Sequence, residues 1–163
     1  MLRDQLKEDQ KTALKSGDTV KRTLIGMVMT SIKNKEIEKR TKLSKTINDP
    51  AQLDTESQLT EDEMIDVIAS EVKRRKDSIV EFKKGGRPEL AEAEKAEADM
   101  LMAYLPEQLS DDQVREIVKK AIADTGATEA KDMGKVIGAV MPQVKGKADG
   151  SRVSAIVKEE LAR

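Results

Sequence analysis

The sequence predicts an all-α protein, with an N-terminal bundle of about four helices followed by a compact three-helix module. Three observations carry this expectation. Leu, Ile, Val, Met and Ala supply almost all the apolar material, because the aromatics are only Phe82 and Tyr104. Charged residues make up 37% of the chain. Apolar positions recur at three- and four-residue spacing between Gly and Pro breaks. Aliphatic cores combined with that much charge are usual in helical folds. At 163 residues the chain suits one ordinary domain or two small ones and can bury roughly 70% of its unfolded surface.

The elements follow in order. Leu2, Leu6, Ala13 and Leu14 define a first helix that stops at Ser16-Gly17, where Gly takes the left-handed cap. Asp18 caps a second, whose apolar stripe runs through Val20, Leu24, Met27 or Val28 and Ile32 toward Ile37. Its outward face carries Lys21, Arg22, Lys33, Lys35, Lys39 and Arg40. Helical period is lost from Thr41 to Gln58, and Asn48-Asp49-Pro50 signals a turn, so a long exposed loop is expected over 41–58. Thr60 and Glu63 form a capping box before Ile65, Ile68, Val72, Ile79 and Phe82, in a helix ending near Gly85-Gly86. Pro88 opens a fourth helix bearing Leu90, Ala93 or Glu94, Glu97 or Ala98, Leu101 and Leu105, closed by Pro106.

The segment YLPEQLS, Tyr104 to Ser110, is the expected domain boundary, separating residues 1–105 from 106–163. Ser110 with Gln113 caps the next helix, which buries Val114, Ile117, Val118, Ala121 and Ile122 and ends at Gly126. A second short helix buries Met133, Val136, Ile137 and Val140, with Met141 as a further candidate, before Pro142. The last, capped by Asp149, places Val153, Ile156, Val157 and Leu161 on one face.

Composition excludes several chemistries. The chain has no Cys and no His, so disulfides, thiol nucleophiles, imidazole bases and the usual zinc sites are absent. No cofactor or metal is expected: the carboxylate cluster Glu61, Asp62, Glu63 and Asp66 opens a helix, where the dipole favours acids, and lacks metal-loop spacing. Without a signal-length or membrane-length apolar run, a soluble cytoplasmic protein with no membrane contact is expected. Net charge is −1 but uneven. Residues 1–50 hold twelve basic against seven acidic side chains, whereas 51–100 hold eight against fourteen. Any nucleic-acid contact must therefore come from a local patch.

Two such patches stand out. In VKGKADGSRV, Val144 to Val153, the cations Lys145, Lys147 and Arg152 surround Gly146 and Gly150 at the exposed N-terminus of the last helix, where unpaired N–H groups and the dipole favour an anion. Asp149 fills that end with its own carboxylate. The bland reading is that Gly146 and Gly150 satisfy turn geometry and the cations solubilise. The second patch is the basic face of helix two, Lys33, Lys35, Lys39 and Arg40, continued by Lys42 and Lys45; such a run is commonly a solvated face. Gly134 and Gly138, one turn apart, read as close packing against another helix. Ser70 and Lys73 match an S-x-x-K spacing, yet no oxyanion-hole loop accompanies them, so no catalytic residue is assigned.

Taken together, RTLIGMVMTSIKNKEIE (Arg22 to Glu38), YLPEQLS, MGKVIGAVMP (Met133 to Pro142) and KGKADGSRVSAIVKEEL (Lys145 to Leu161) resemble the YqeY-like family. That family shares its C-terminal part with the tail of the B subunit of the tRNA-dependent amidotransferase. The resemblance implies a helical bundle with a three-helix tail module, a tail that contacts RNA, and Lys145 and Lys147 as the matching positions able to do so. It implies a non-catalytic tRNA-binding accessory protein, with amidotransferase or other translation components as protein partners. An enzyme or auxiliary subunit in tRNA-dependent amidation, a carbon–nitrogen ligase with glutamine as amido donor, or an amidase on aminoacyl-tRNA is the alternative. A protein-interaction adaptor is the third. The oligomeric state is not legible.

Overall fold

The computed structural model describes residues 1–162, which form helices and no strand. The chain divides into two compact units, one spanning Met1–Tyr104 and a second beginning at Leu105.

The first unit holds α1 (Leu2–Ser16), α2 (Thr19–Leu43), α3 (Pro50–Glu56), α4 (Glu61–Lys84) and α5 (Pro88–Met102). Local signals set their ends. Gly17 closes α1 at φ 75°, a conformation that a Cβ would strain. Asp18 accepts the Lys21 N–H at 2.9 Å, and Thr60 and Glu63 cap α4 reciprocally at 3.2 and 2.8 Å. The core joins Leu6, Leu24, Ile25, Val28, Ile32, Ile68 and Leu101, each almost inaccessible and each contributing about 1.5–3 kcal/mol by burial.

Charge is buried among these side chains. Arg75 donates to Glu71 at 3.1 Å and to Glu97 at 3.0 Å, while the Ser31 hydroxyl donates to Glu71 at 3.1 Å, tying α2, α4 and α5 together. Glu36 accepts from Arg3 at 2.5 Å and from the Leu59 N–H at 3.3 Å, tying α1 and α2 to the chain entering α4. A buried carboxylate is tolerated only when paired in this way.

Several expectations are corrected here. On α2 the inward stripe is Leu24, Ile25, Val28, Ile32 and Glu36, and Val20, Met27 and Ile37 are each about half exposed. The cause is Glu36: Arg3 neutralises it, so a charged residue occupies a core position that apolar periodicity alone assigns elsewhere. Leu14 is likewise exposed, and on α5 Ala91 is buried while Leu90 faces outward. The loop expected over 41–58 is in part helical. α2 runs on to Leu43 and Pro50–Glu56 forms α3, because the Asp49 carboxylate caps the Ala51 N–H at 2.9 Å, Pro50 suits the first turn, and Leu53 is buried. The Asn48-Asp49-Pro50 signal starts a helix.

The second unit packs α6 (Asp111–Thr125), a 3₁₀ turn (Ala130–Asp132), α7 (Met133–Val144) and α8 (Gly150–Leu161). Its core is Val114, Val118, Ala121, Ala127, Val136, Val140, Val144, Val153, Ile156 and Val157. Ser110 and Gln113 form the expected capping box, and Gly126 ends α6 at φ 64°. α7 continues through Pro142 instead of stopping before it, and Met141 is exposed. Pro142 withholds one N–H from the carbonyl of Gly138, which lies on the exposed side, and complete burial of Val140 and Val144 offsets that loss.

Candidate nucleic-acid interface

Val144 anchors the end of α7, and the chain then reverses through Gly146 at φ 68°. Four hydrogen bonds fix the backbone of this turn. The N–H groups of Lys147 and Ala148 donate to the Val144 carbonyl at 2.8 and 3.1 Å. The Lys147 carbonyl accepts the Leu109 N–H at 2.8 Å, and the Gln108 amide donates to the Gly146 carbonyl at 2.7 Å. The side chains of Lys145 and Lys147 are thereby carried outward on a fixed main chain, and both residues are exposed. No ion pair of the Lys147 ammonium occurs among the described residues.

The remaining residues of this stretch have other duties. Asp149 accepts from the N–H groups of Ser151 and Arg152 at 2.8 and 3.3 Å, so the N-terminus of α8 is filled by its own carboxylate. Arg152 donates from Nε to both oxygens of Asp111 at 3.0 Å and from Nη2 to Oδ2 at 2.5 Å. The guanidinium holds the Asp111 carboxyl below its ordinary range. An outside anion would have to compete with that pair at Arg152. Of the two glycines in this stretch, only Gly146 requires a left-handed backbone, and a Cβ on Gly150 would meet the Met141 methyl at an ordinary 3.7 Å. Close packing at Gly134 and Gly138 is not observed. Both are exposed, and a Cβ on either would enter open space.

The basic face of α2 is divided between two grooves. Lys35 and Lys39 line one of about 600 Å³ beside α4, and Lys33 and Arg40 line one of about 450 Å³ beside α1 and α3. Each has an acidic neighbour: Lys33–Glu36 at 3.8 Å, Lys35–Glu38 at 2.8 Å, Lys39–Glu63 at 2.9 Å, and Arg40 with Asp54. The Lys39 ammonium lowers the Glu63 carboxyl from its ordinary value, helped by the Thr60 N–H. Sequence reasoning did not bring Arg3 and Lys7 to this face. Their four-residue spacing on α1 was the available signal.

No hydrolytic pair is assembled at Ser70. Its hydroxyl donates to the Asp66 carbonyl at 2.8 Å, a bond within its own helix, and Lys73 pairs with Asp77 at 4.0 Å. Among the described residues no group of three or more carboxylates could hold a metal ion, and no helix is long and apolar enough to cross a membrane.

Two helical units, one with charged grooves and one with a lysine-bearing turn, define a small all-helical protein with polar, cation-lined surfaces. The chain matches the family described as Yqey-like protein over residues 3–161, and it belongs to the YqeY-like family. Relatives include proteins named "Altered inheritance of mitochondria protein 41, mitochondrial". That of Kluyveromyces lactis is 36% identical over 61% of this chain and 45% of its own length. That of Pyrenophora tritici-repentis is 34% identical over 61% of this chain and 56% of its own. That of Clavispora lusitaniae is 29% identical over 88% and 74% respectively. The chain spans about half the length of the first two.

Proposed function

We propose that the protein is a non-catalytic tRNA-binding accessory factor whose C-terminal unit meets the sugar-phosphate surface of a folded RNA through the turn at Lys145–Ala148. One observation carries the reading: the backbone of this turn is held by four hydrogen bonds while the Lys147 ammonium is exposed and makes no ion pair among the described residues. A positioned cation loses little freedom on meeting a phosphate, and phosphate contacts set affinity and register without reading bases. The scarcity of aromatics, Phe82 and Tyr104 alone, disfavours stacking on single strands. The resemblance of this tail to that of the tRNA-dependent amidotransferase supports tRNA as the RNA class and translation components as protein partners. The proposed setting is the cytoplasm; the relatives' names carry the word mitochondrial, and cell fractionation decides between the compartments.

The direct test is ultraviolet crosslinking of the full chain to folded tRNA, with mapping of the RNA-linked peptides. Peptides covering residues 143–152 are expected to dominate. Crosslinks that avoid this segment, or none above those of an unrelated acidic protein, would overturn the assignment.

A further inference from the structure

The smaller groove of the N-terminal unit, about 450 Å³, has an unusual balance of charge. Arg3 and Lys7 lie four residues apart on α1, and Lys33 and Arg40 lie seven apart on α2, so each pair shares a helix face. All four line the cleft, and only Glu36 and Asp54 oppose them. Four cations against two carboxylates is a local excess in a chain whose net charge is −1. The larger groove beside α4 sets four cations against four carboxylates and offers an anion no net attraction.

The two carboxylates leave donors unused. Glu36 accepts from Nη2 of Arg3, and Asp54 accepts from Nη1 of Arg40. Each guanidinium thus commits one nitrogen to its described ion pair, and the rest of its fork can serve another acceptor. Lys33 reaches Glu36 only at 3.8 Å with its side chain 70% exposed. Lys7 is exposed, with no ion pair among the described residues. The wall opposite is held in place, since the buried Ser57 donates to the Asp54 carbonyl at 3.2 Å and the Gln58 carbonyl accepts from Lys39 at 3.0 Å. Like charges gathered in one cleft repel, and about two negative charges, from one phosphomonoester dianion or from two neighbouring backbone diesters of one charge each, would neutralise the excess. A phosphomonoester carries about −1.5 to −2 near neutral pH, and guanidinium forks beside ammonium groups suit its oxygens.

We propose that this cleft binds a phosphate group, borne either by a small phosphorylated ligand or by an RNA backbone. Its volume is that of a small-ligand pocket. The site is independent of the RNA reading of the Lys145–Ala148 turn, because it is built wholly within the N-terminal unit.

The test uses the isotopically labelled full chain, titrated with sodium phosphate and with pyrophosphate against sodium chloride at matched ionic strength, and read by amide chemical shifts. Saturable shifts confined to residues 3–7, 33–40 and 54–58 are expected. Lys7→Ala with Lys33→Ala should weaken binding about tenfold or more, while Lys7→Arg with Lys33→Arg should retain it. Both positions are exposed, so an unchanged melting temperature is expected and checks that the fold is intact. Shifts that never saturate, that spread over the whole surface, or that persist in the alanine pair overturn the proposal. Folded tRNA then separates the two sources: displacement of phosphate from the cleft identifies an RNA backbone, and persistence of the phosphate shifts beside bound tRNA identifies a small ligand. Replacing Lys145 and Lys147 leaves these shifts in place, which keeps this site distinguishable from the C-terminal turn.

Discussion

The N-terminal unit buries Glu36, Glu71 and Arg75 among its aliphatic side chains, whereas every buried residue described in the C-terminal unit is apolar. The contrast extends to the helix seams. In the first unit a charged network determines which faces of α2, α4 and α5 meet. In the second, seven valines with Ala121, Ala127 and Ile156 fill a small interior, and the charge beside it is one cluster, where Arg115 meets the exposed Glu159 and the Glu160 side chain, itself only 6% exposed. The first unit is therefore sensitive to loss of a charge partner between its helices, and the core of the second chiefly to loss of volume.

The largest expected effect breaks the buried network. Arg75→Ala leaves the buried Glu71 with only the Ser31 hydroxyl and the exposed Arg74 at 3.4 Å and should cost about 3 kcal/mol by denaturant unfolding. The paired replacement Glu71→Leu with Arg75→Met should recover most of it, because Glu97 is partly exposed and can be hydrated. Equal losses in the single and paired variants would show that packing, not charge, is the sensitive quantity. Next comes Ile156→Ala, fully buried in the C-terminal unit, at about 3 kcal/mol through lost transfer energy and a residual cavity. Smaller still, Asp149→Ala removes the cap of α8 and should cost about 1 kcal/mol, seen as a lower melting temperature with earlier hydrogen exchange at Ser151 and Arg152.

The smallest effect concerns acid. Asp111 is held below its ordinary range by Arg152, and Asp132 by the N–H groups of Thr128 and Glu129. A depressed carboxylate contributes stability that is complete above its unfolded value, near pH 4, and is lost as pH falls through the lower folded value. Asp111→Asn should therefore flatten the acid limb of the stability–pH curve while leaving its shape above pH 6 unchanged. An unaltered acid limb would mean that the exposed pair contributes nothing measurable.

Much of the fold was legible because ends and faces announce themselves locally. Ser110 with Gln113, Thr60 with Glu63, Pro88, Asp149 and Gly126 each act through bonds or dihedral limits within a few residues. The C-terminal faces were legible too, since Val153, Ile156 and Val157 carry no competing charge. What escaped was non-local. Glu36 enters the core with partners brought from elsewhere in the chain, Arg3, thirty-three residues away, and the Leu59 N–H. α3 starts on the local Asp49 cap and Pro50, but the buried place that its Leu53 finds is one that no local pattern reveals. The candidate site followed the same division: the lysines of the 145–148 turn were readable as exposed charge, but the commitment of Arg152 to Asp111 and the meeting of Arg3 and Lys7 with Lys33 and Arg40 depend on how separate helices fold together.

The most direct measurement of the central functional claim is the salt dependence of binding to folded tRNA, compared between the native chain and Lys145→Ala with Lys147→Ala. If both side chains contact phosphates, the double variant binds more weakly and its slope of log affinity against log salt is smaller by about 2. An affinity and slope equal to those of the native chain would contradict the assignment of this turn as the RNA-facing surface.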